Sequence, residues 1–434
     1  MAMELRPCRL PLTGTLRPPS DKSITHRAIL FSALAMGSTR IVRPLVAQDT
    51  LSSRRVVESL GVKVDAGRDE WVLSSPGPDH WLMPSQAIDC GNSGTTIRLA
   101  MGLFSLSREP RTLTGDASLS KRPMERVAHP LREMGIRVET TRGYPPVTVH
   151  HDGAIRGITY DMPLASAQVK SALILAALKG LEPSEIREPY PTRDHTERML
   201  RQMGIEISQT QRGIRVEPVT QWQQVRPAEF QVPGDPSSAA FWAALAGLLP
   251  GSHLVLREVS VSARRTGFFR HLQQMGVHVD IADFPGEGQI GNIAVGYRQL
   301  RATTVDAAQV PDMVDEVPLV ALMASQAAGE TIITGAKELR VKETDRIRAT
   351  VENLRTLGVD IEERPDGMIV RGPTPIRGGR VKTFGDHRMA MMLAVAAAVA
   401  QEPVILDDPD SVGISYPAFF ERYRFWQQGQ TFRD

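Results

Sequence analysis

The segment Pro19-Ser20-Asp21-Lys22-Ser23-Ile24-Thr25-His26-Arg27 gathers an ammonium, hydroxyls and a guanidinium at a helix start. Lys22 and Ser23 fall in the first turn, where unpaired N–H groups and the positive end of the helix dipole favour an anion. Arg27 lies one turn beyond Ser23 on the same face. Alone, the segment reads equally well as a capped helix with a solvated basic face. Similar groupings along the chain favour the anion-binding reading.

Cys90-Gly91-Asn92-Ser93-Gly94-Thr95-Thr96-Ile97-Arg98 is a small-residue loop running into an apolar helix over 99–106, and its two glycines let backbone N–H groups approach a phosphate or carboxylate. Leu119-Ser120-Lys121-Arg122-Pro123 repeats the theme, with Pro123 suited to the first helical position and the helix running to Met134. Ser166-Ala167-Gln168-Val169-Lys170 begins another helix with Ser166 as its cap, and Thr192-Arg193-Asp194-His195 begins a fourth. Each of these starts also has an ordinary capping explanation.

Sharper signals follow. Arg340-Val341-Lys342-Glu343-Thr344-Asp345-Arg346 mixes acids and bases at a helix start, and Asp386, His387 and Arg388 are the only charges near a long alanine-rich helix. Asp315 is pressed against the apolar run 319–323. A carboxylate in such a place needs a partner or a role. Seven cations, Lys22, Arg27, Arg122, Arg193, Lys342, Arg346 and Arg388, thus sit at helix starts. If they converge, two phosphates and two carboxylates, about five to six negative charges, would match them. That points to two small anionic substrates held between domains.

The elements that position these groups repeat. The first helix reads from Ile24, Ala28, Phe31 and Ala35 to a stop at Gly37. Five times, an apolar residue, two variable positions, Leu or Met, Gly, and Val or Ile either side of one residue mark a helix end turning into a strand: 57–64, 131–138, 200–207, 272–279 and 354–361. Their glycines are 74, 69, 72 and 82 residues apart, and Gly429 falls where a degraded sixth copy would. A period near seventy residues suits a mixed block of strands and helices. Turn-forming breaks at 16–19 and 232–236 divide the chain into a discontinuous domain, 1–19 plus 236–434, and an inserted domain, 20–235.

Composition sets the bounds. The 434 residues, 41% hydrophobic and 23% charged, can build two full cores. A net charge of +2 and 5% aromatic residues exclude a nucleic-acid binder. The longest apolar runs, 239–249 and 389–400, are too short for a bilayer span, and no leader pattern opens the chain. With two cysteines and no zinc-like histidine spacing, neither a disulfide framework nor a metal site is expected, and reducing cytoplasm is.

The segments 20–27, 91–98, 166–168 and 340–346, with Asp386-His387-Arg388, together resemble the signature set of the 5-enolpyruvylshikimate-3-phosphate synthase family, in order and across nearly the whole chain. The resemblance implies an α/β (α+β) fold of two similar domains, each of three βαβαββ units in an inside-out α/β barrel, with the active site in the interdomain cleft. It implies a cofactor-free monomer that joins the enolpyruvyl group of phosphoenolpyruvate to the 5-hydroxyl of shikimate 3-phosphate and releases phosphate. By the same resemblance Lys22, Ser23, Arg27, Ser166, Ala167, Gln168, Arg193, Asp315 and Lys342 line the shikimate 3-phosphate site. Lys22, Gly94, Arg122, Gln168, Arg346 and Arg388 hold phosphoenolpyruvate. Asp315 accepts the hydroxyl proton, Glu343 or Lys22 donates one, and glyphosate is an expected inhibitor. Two positions depart from the pattern: Ala167 lacks the hydroxyl of many members, and Ile414 stands near where many carry Lys. The rivals are the sister transferase acting on a UDP-linked amino sugar, whose loop cysteine has no counterpart in 115–122, and a non-catalytic binder of phosphorylated metabolites.

Overall fold

The computed structural model describes residues 2–83, 86–284 and 289–433. The chain forms two compact units, Met1–Pro19 with Pro233–Asp434 and Ser20–Val232. Residues 233–235, expected with the inserted domain, belong to the other unit. The Gly234 N–H bonds Glu258 O at 2.7 Å, and the Asp235 carboxylate both caps the Pro236–Leu248 helix and accepts from the buried Arg265 at 2.6 Å.

Unit 20–232 is built three times over from one pattern. Ile88–Asp89, the helix Gly94–Phe104, Arg111–Thr114, the helix Glu125–Glu133, Arg137–Thr141 and Tyr144–His150 run strand, helix, strand, helix, strand, strand. The first two strands pair in parallel and the hairpin adds antiparallel pairs. Thr159–Asp161 opens an equivalent block with Ser184–Arg187, Ile207–Gln209 and Gly213–Val216. In the remaining block the opening strand is Glu229–Gln231, which returns from the far end of the unit to pair with Gly37–Val42.

The other unit carries three sheets that also open with a parallel pair, from Thr13–Leu16, Thr304–Val305 and Gly379–Val381; the last has three strands, closed by Met3–Leu5 in place of a hairpin. Its helices Pro236–Leu248, Val317–Ala324 and His387–Val399 are buried nearly all round, as sequences apolar on every face require. In the inserted unit the helices Gly94–Phe104 and Ala167–Ala177 cross in backbone contact. A Cβ on Gly102 would stand 2.3 Å from Ala172 O, so only glycine fits.

All six joints of the repeat are present. Gly61, Gly135, Gly204, Gly276, Gly358 and Gly429 have φ between 75° and 96°, each between a helix end and a strand. The sixth leads into Phe432–Arg433, which pairs in parallel with Thr13–Leu16. Among the described residues no helix is long and apolar enough to cross a membrane.

Candidate active site

In unit 20–232, Asp21 accepts from the Ile24 N–H at 2.9 Å and so caps the Lys22–Ser32 helix. Lys22 Nζ donates to Asp49 Oδ2 at 2.9 Å, with both side chains largely buried. No local pattern signals this pairing, because Asp49 lies 27 positions away in another helix. Arg27 is buried. It donates to Thr196 Oγ1 and Ser171 Oγ, each at 2.7 Å, and to Ser23 O at 3.0 Å. His26 is fully buried, its Nδ1 sharing a 2.8 Å hydrogen bond with Ser53 Oγ. Burial, then the charges of Lys22 and Arg27, hold its pKa well below the ordinary histidine value.

Ser93 caps the Gly94–Phe104 helix through the Thr96 N–H at 3.1 Å, so the helix begins at Gly94, earlier than its apolar run suggests. A Cβ built on Gly94 would lie 2.9 Å from Arg98 Nη1 and 3.2 Å from Arg122 Nη1, which places two guanidinium groups over the opening turn. Arg98 Nη1 donates to Gln168 Oε1 at 2.8 Å, and Gln168 Nε2 donates to Thr95 Oγ1 at 3.0 Å. Gly94, Arg122 and Gln168 are thereby brought together. Arg98 joins them although the motif had suggested no role for it. The available signal was its spacing, one helical turn from Gly94.

Arg122 donates to Asn92 Oδ1 at 2.6 Å and Ser118 Oγ at 3.1 Å. The helix after it starts at Glu125, not Pro123, because Met124 occupies the N-cap position and its N–H bonds Gly143 O. Ser166 is at the N-cap of Ala167–Ala177, yet its side chain makes no capping hydrogen bond. Arg193 directly precedes Asp194, the N-cap residue of His195–Gln202.

In the other unit Arg346, 1% exposed, is the centre of an acidic cluster. It donates from Nη2 to Glu343 Oε2 at 2.5 Å, from Nη1 to Asp315 Oδ1 at 3.1 Å and from Nε to Asp386 Oδ2 at 2.7 Å. Burial alone would lower its pKa, but the charges of Asp386, Glu343 and Asp315 raise it above the usual arginine value. Asp386 also accepts from the Arg388 N–H at 2.8 Å, capping the His387–Val399 helix. The Arg388 guanidinium stands 3.5 Å from Asp315 Oδ2 and 3.8 Å from Glu316 Oε1, and Lys342 Nζ stands 3.5 Å from Glu338 Oε1.

Lys22, Lys342, Arg346 and Arg388, all among the expected cations, have carboxylate partners. The positive excess is reduced accordingly, by Asp49, Asp315 and Asp386 from distant segments and by Glu338 and Glu343 within four positions of the cations they meet. Ile414 is buried at the end of the 3₁₀ turn Asp410–Ile414.

The chain matches the family model described as EPSP synthase (3-phosphoshikimate 1-carboxyvinyltransferase) over residues 9–423. It is 41% identical over 422 residues to the 3-phosphoshikimate 1-carboxyvinyltransferase of Streptococcus pyogenes serotype M49 (strain NZ131), covering 96% of this chain and 98% of that relative. The enzyme of the same name from Sulfurihydrogenibium sp. (strain YO3AOP1) is 43% identical over 415 residues, covering 94% and 96%. Among solved structures, an EPSP synthase from Acinetobacter baumannii aligns with a TM-score of 0.83 at 36% identity over 97% of both chains. The enolpyruvyl transferase NikO from Streptomyces tendae, at 16% identity and a TM-score of 0.77 over 97% of this chain and 96% of that one, shares the fold.

Proposed function

This chain belongs to the EPSP synthase family, and on that premise we propose that it transfers the enolpyruvyl group of phosphoenolpyruvate to the 5-hydroxyl of shikimate 3-phosphate. The hydroxyl oxygen bonds to C2 of phosphoenolpyruvate as C3 takes a proton. The tetrahedral adduct then loses phosphate and a C3 proton to restore the double bond. The observation that supports this reading most directly is the Arg346 guanidinium shared between Asp315 at 3.1 Å and Glu343 at 2.5 Å. Two carboxylates for proton transfer are thus fixed by one buried cation.

Asp315 accepts the hydroxyl proton, and Glu343 or Lys22 serves as donor. When the phosphoenolpyruvate carboxylate takes N–H groups of Arg346, it competes with Glu343 and frees that carboxyl for proton transfer. Gly94, Arg122, Gln168 and Arg388 complete the phosphoenolpyruvate contacts, with Arg98 holding Gln168 in place. Lys22, Ser23, Arg27, Ser166, Ala167, Gln168, Arg193, Asp315 and Lys342 form the shikimate 3-phosphate site, with Lys22 assisting the departing phosphate. Glyphosate enters this reading as a competitor of phosphoenolpyruvate. A cytoplasmic monomer completes it, in keeping with two free cysteines, one of them fully buried.

Phosphate release on mixing the two substrates tests the reading. Release that requires both, with the enolpyruvyl ether found by mass spectrometry, is expected. Transfer to a UDP-linked amino sugar instead, or binding without turnover, would overturn it. The segment 115–122 carries Ser118 and Lys121 and no cysteine, which favours the first acceptor.

A further inference from the structure

Lys170 is 1% exposed and has no part in the roles assigned above. Its ammonium has three N–H groups, and three oxygens surround it: Glu197 Oε1 at 2.7 Å, Glu188 Oε2 at 3.0 Å and Thr192 O at 3.5 Å. The other oxygen of Glu188 accepts from the Thr192 N–H at 3.0 Å and from the Thr192 hydroxyl. The loop Glu188-Pro189-Tyr190-Pro191-Thr192 is therefore closed on itself, with two prolines fixing φ. Arg193 is the next residue. At the other end, the Lys170 N–H makes the first bond of its helix, to Ser166 O at 3.0 Å.

One position further along, Ser171 Oγ and Thr196 Oγ1 share a 2.6 Å hydrogen bond, and both accept from Arg27. Lys170–Glu197 and Ser171–Thr196 are thus adjacent ties between the helix that begins at Ser166 and the helix that follows Arg193. Packed apolar side chains would stabilise such an interior at least as well as a buried ion cluster. What the ions add is a fixed geometry at both ends.

We propose that Lys170, through Glu188 and Glu197, is a positioning residue that sets Arg193 relative to Ser166 and Gln168 and so determines affinity for the phosphorylated acceptor. The inference rests on the reading that these residues hold shikimate 3-phosphate. It bears on this chain in particular because Ala167 supplies no hydroxyl to the site.

Lys170→Met, Arg193→Gln and the double variant test it by steady-state kinetics. Lys170→Met should raise KM for shikimate 3-phosphate roughly tenfold or more, while KM for phosphoenolpyruvate and kcat change by less than about threefold. The double variant should be no worse than Arg193→Gln alone, since Lys170 acts through Arg193. Multiplying effects, an equal rise in both KM values, or no change would each overturn the proposal. If Lys170→Met does not fold, Thr192→Val removes only one tie of the loop. It should raise KM for shikimate 3-phosphate about threefold, with Thr192→Ser restoring it, and equal constants in all three proteins would refute the proposal. Wild-type protein that releases no phosphate would instead sink the functional reading.

Discussion

Gly94 lies under the Arg122 guanidinium, with 3.2 Å separating Nη1 from the place a Cβ would take and Arg98 Nη1 closer still at 2.9 Å. Gly94→Ala must therefore displace Arg98, and Arg98 holds Gln168 at 2.8 Å. On the proposed reading, in which glyphosate competes with phosphoenolpyruvate beside Gly94, an added methyl group would intrude more on that longer inhibitor than on the substrate. Gly94→Ala should raise the glyphosate inhibition constant about tenfold or more beyond any rise in KM for phosphoenolpyruvate. Equal rises in the two constants would show that Gly94 does not line the inhibitor site.

Lys22→Met should abolish phosphate release, since Lys22 is assigned to both substrates and to phosphate departure. Lys22 is also structural, because its loss strands the buried Asp49 carboxylate. Removing one partner should cost about 2–3 kcal/mol, at the lower side for buried pairs because Lys22 keeps some exposure. Tm should fall by roughly 4–10 °C. Adding Asp49→Asn should recover most of the Tm and none of the activity. A double variant as unstable as Lys22→Met would mean that the stranded Asp49 carboxylate is not what destabilises the single variant.

The helices that begin at Lys22 and after Asp345 and Asp386 were legible from their apolar spacing and flanking charges, while those beginning at Gly94 and Glu125 start elsewhere than expected because Ser93 and Met124 occupy their N-cap positions. The repeat was legible because the turn from helix to strand needs positive φ, which leaves a glycine at every joint, Gly429 included. The ion pairs were not. Arg346 meets Asp315 and Asp386 from 31 and 40 positions away, and Lys22 meets Asp49 from 27. Tertiary packing sets those distances and no local pattern records them. Ser166 shows the opposite error, since a residue suited to capping occupies the N-cap position without capping.

Glu343 and Asp386 share Arg346 but should fail differently. Glu343→Gln keeps shape and a hydrogen-bond acceptor while removing an ionisable group, so kcat should fall roughly a hundredfold or more with shikimate 3-phosphate affinity nearly unchanged. Asp386 is fully buried and also caps a helix. Asp386→Asn should therefore lower stability by about 3 kcal/mol or more. If Glu343→Gln loses affinity and not turnover, its carboxylate serves Arg346 and not the reaction.

His26 gives the pH dependence a direction. Burial first, then Lys22 and Arg27, depress its folded pKa below 6.5, while the unfolded chain titrates near that value. A histidine kept neutral in the fold contributes stability that is fully present above about pH 6.5. That stability is lost as pH falls toward the folded pKa, because only the unfolded chain takes up the proton. The slope is at most about 1.4 kcal/mol per pH unit. His26→Gln removes the titration and leaves a group able to bond Ser53. His271, also depressed by burial, titrates in both proteins and cancels in the comparison. Between pH 7.5 and 5.5, wild-type Tm should therefore fall about 2–4 °C further than that of His26→Gln. Parallel falls would show that His26 takes up its proton in the folded protein as readily as in the unfolded chain.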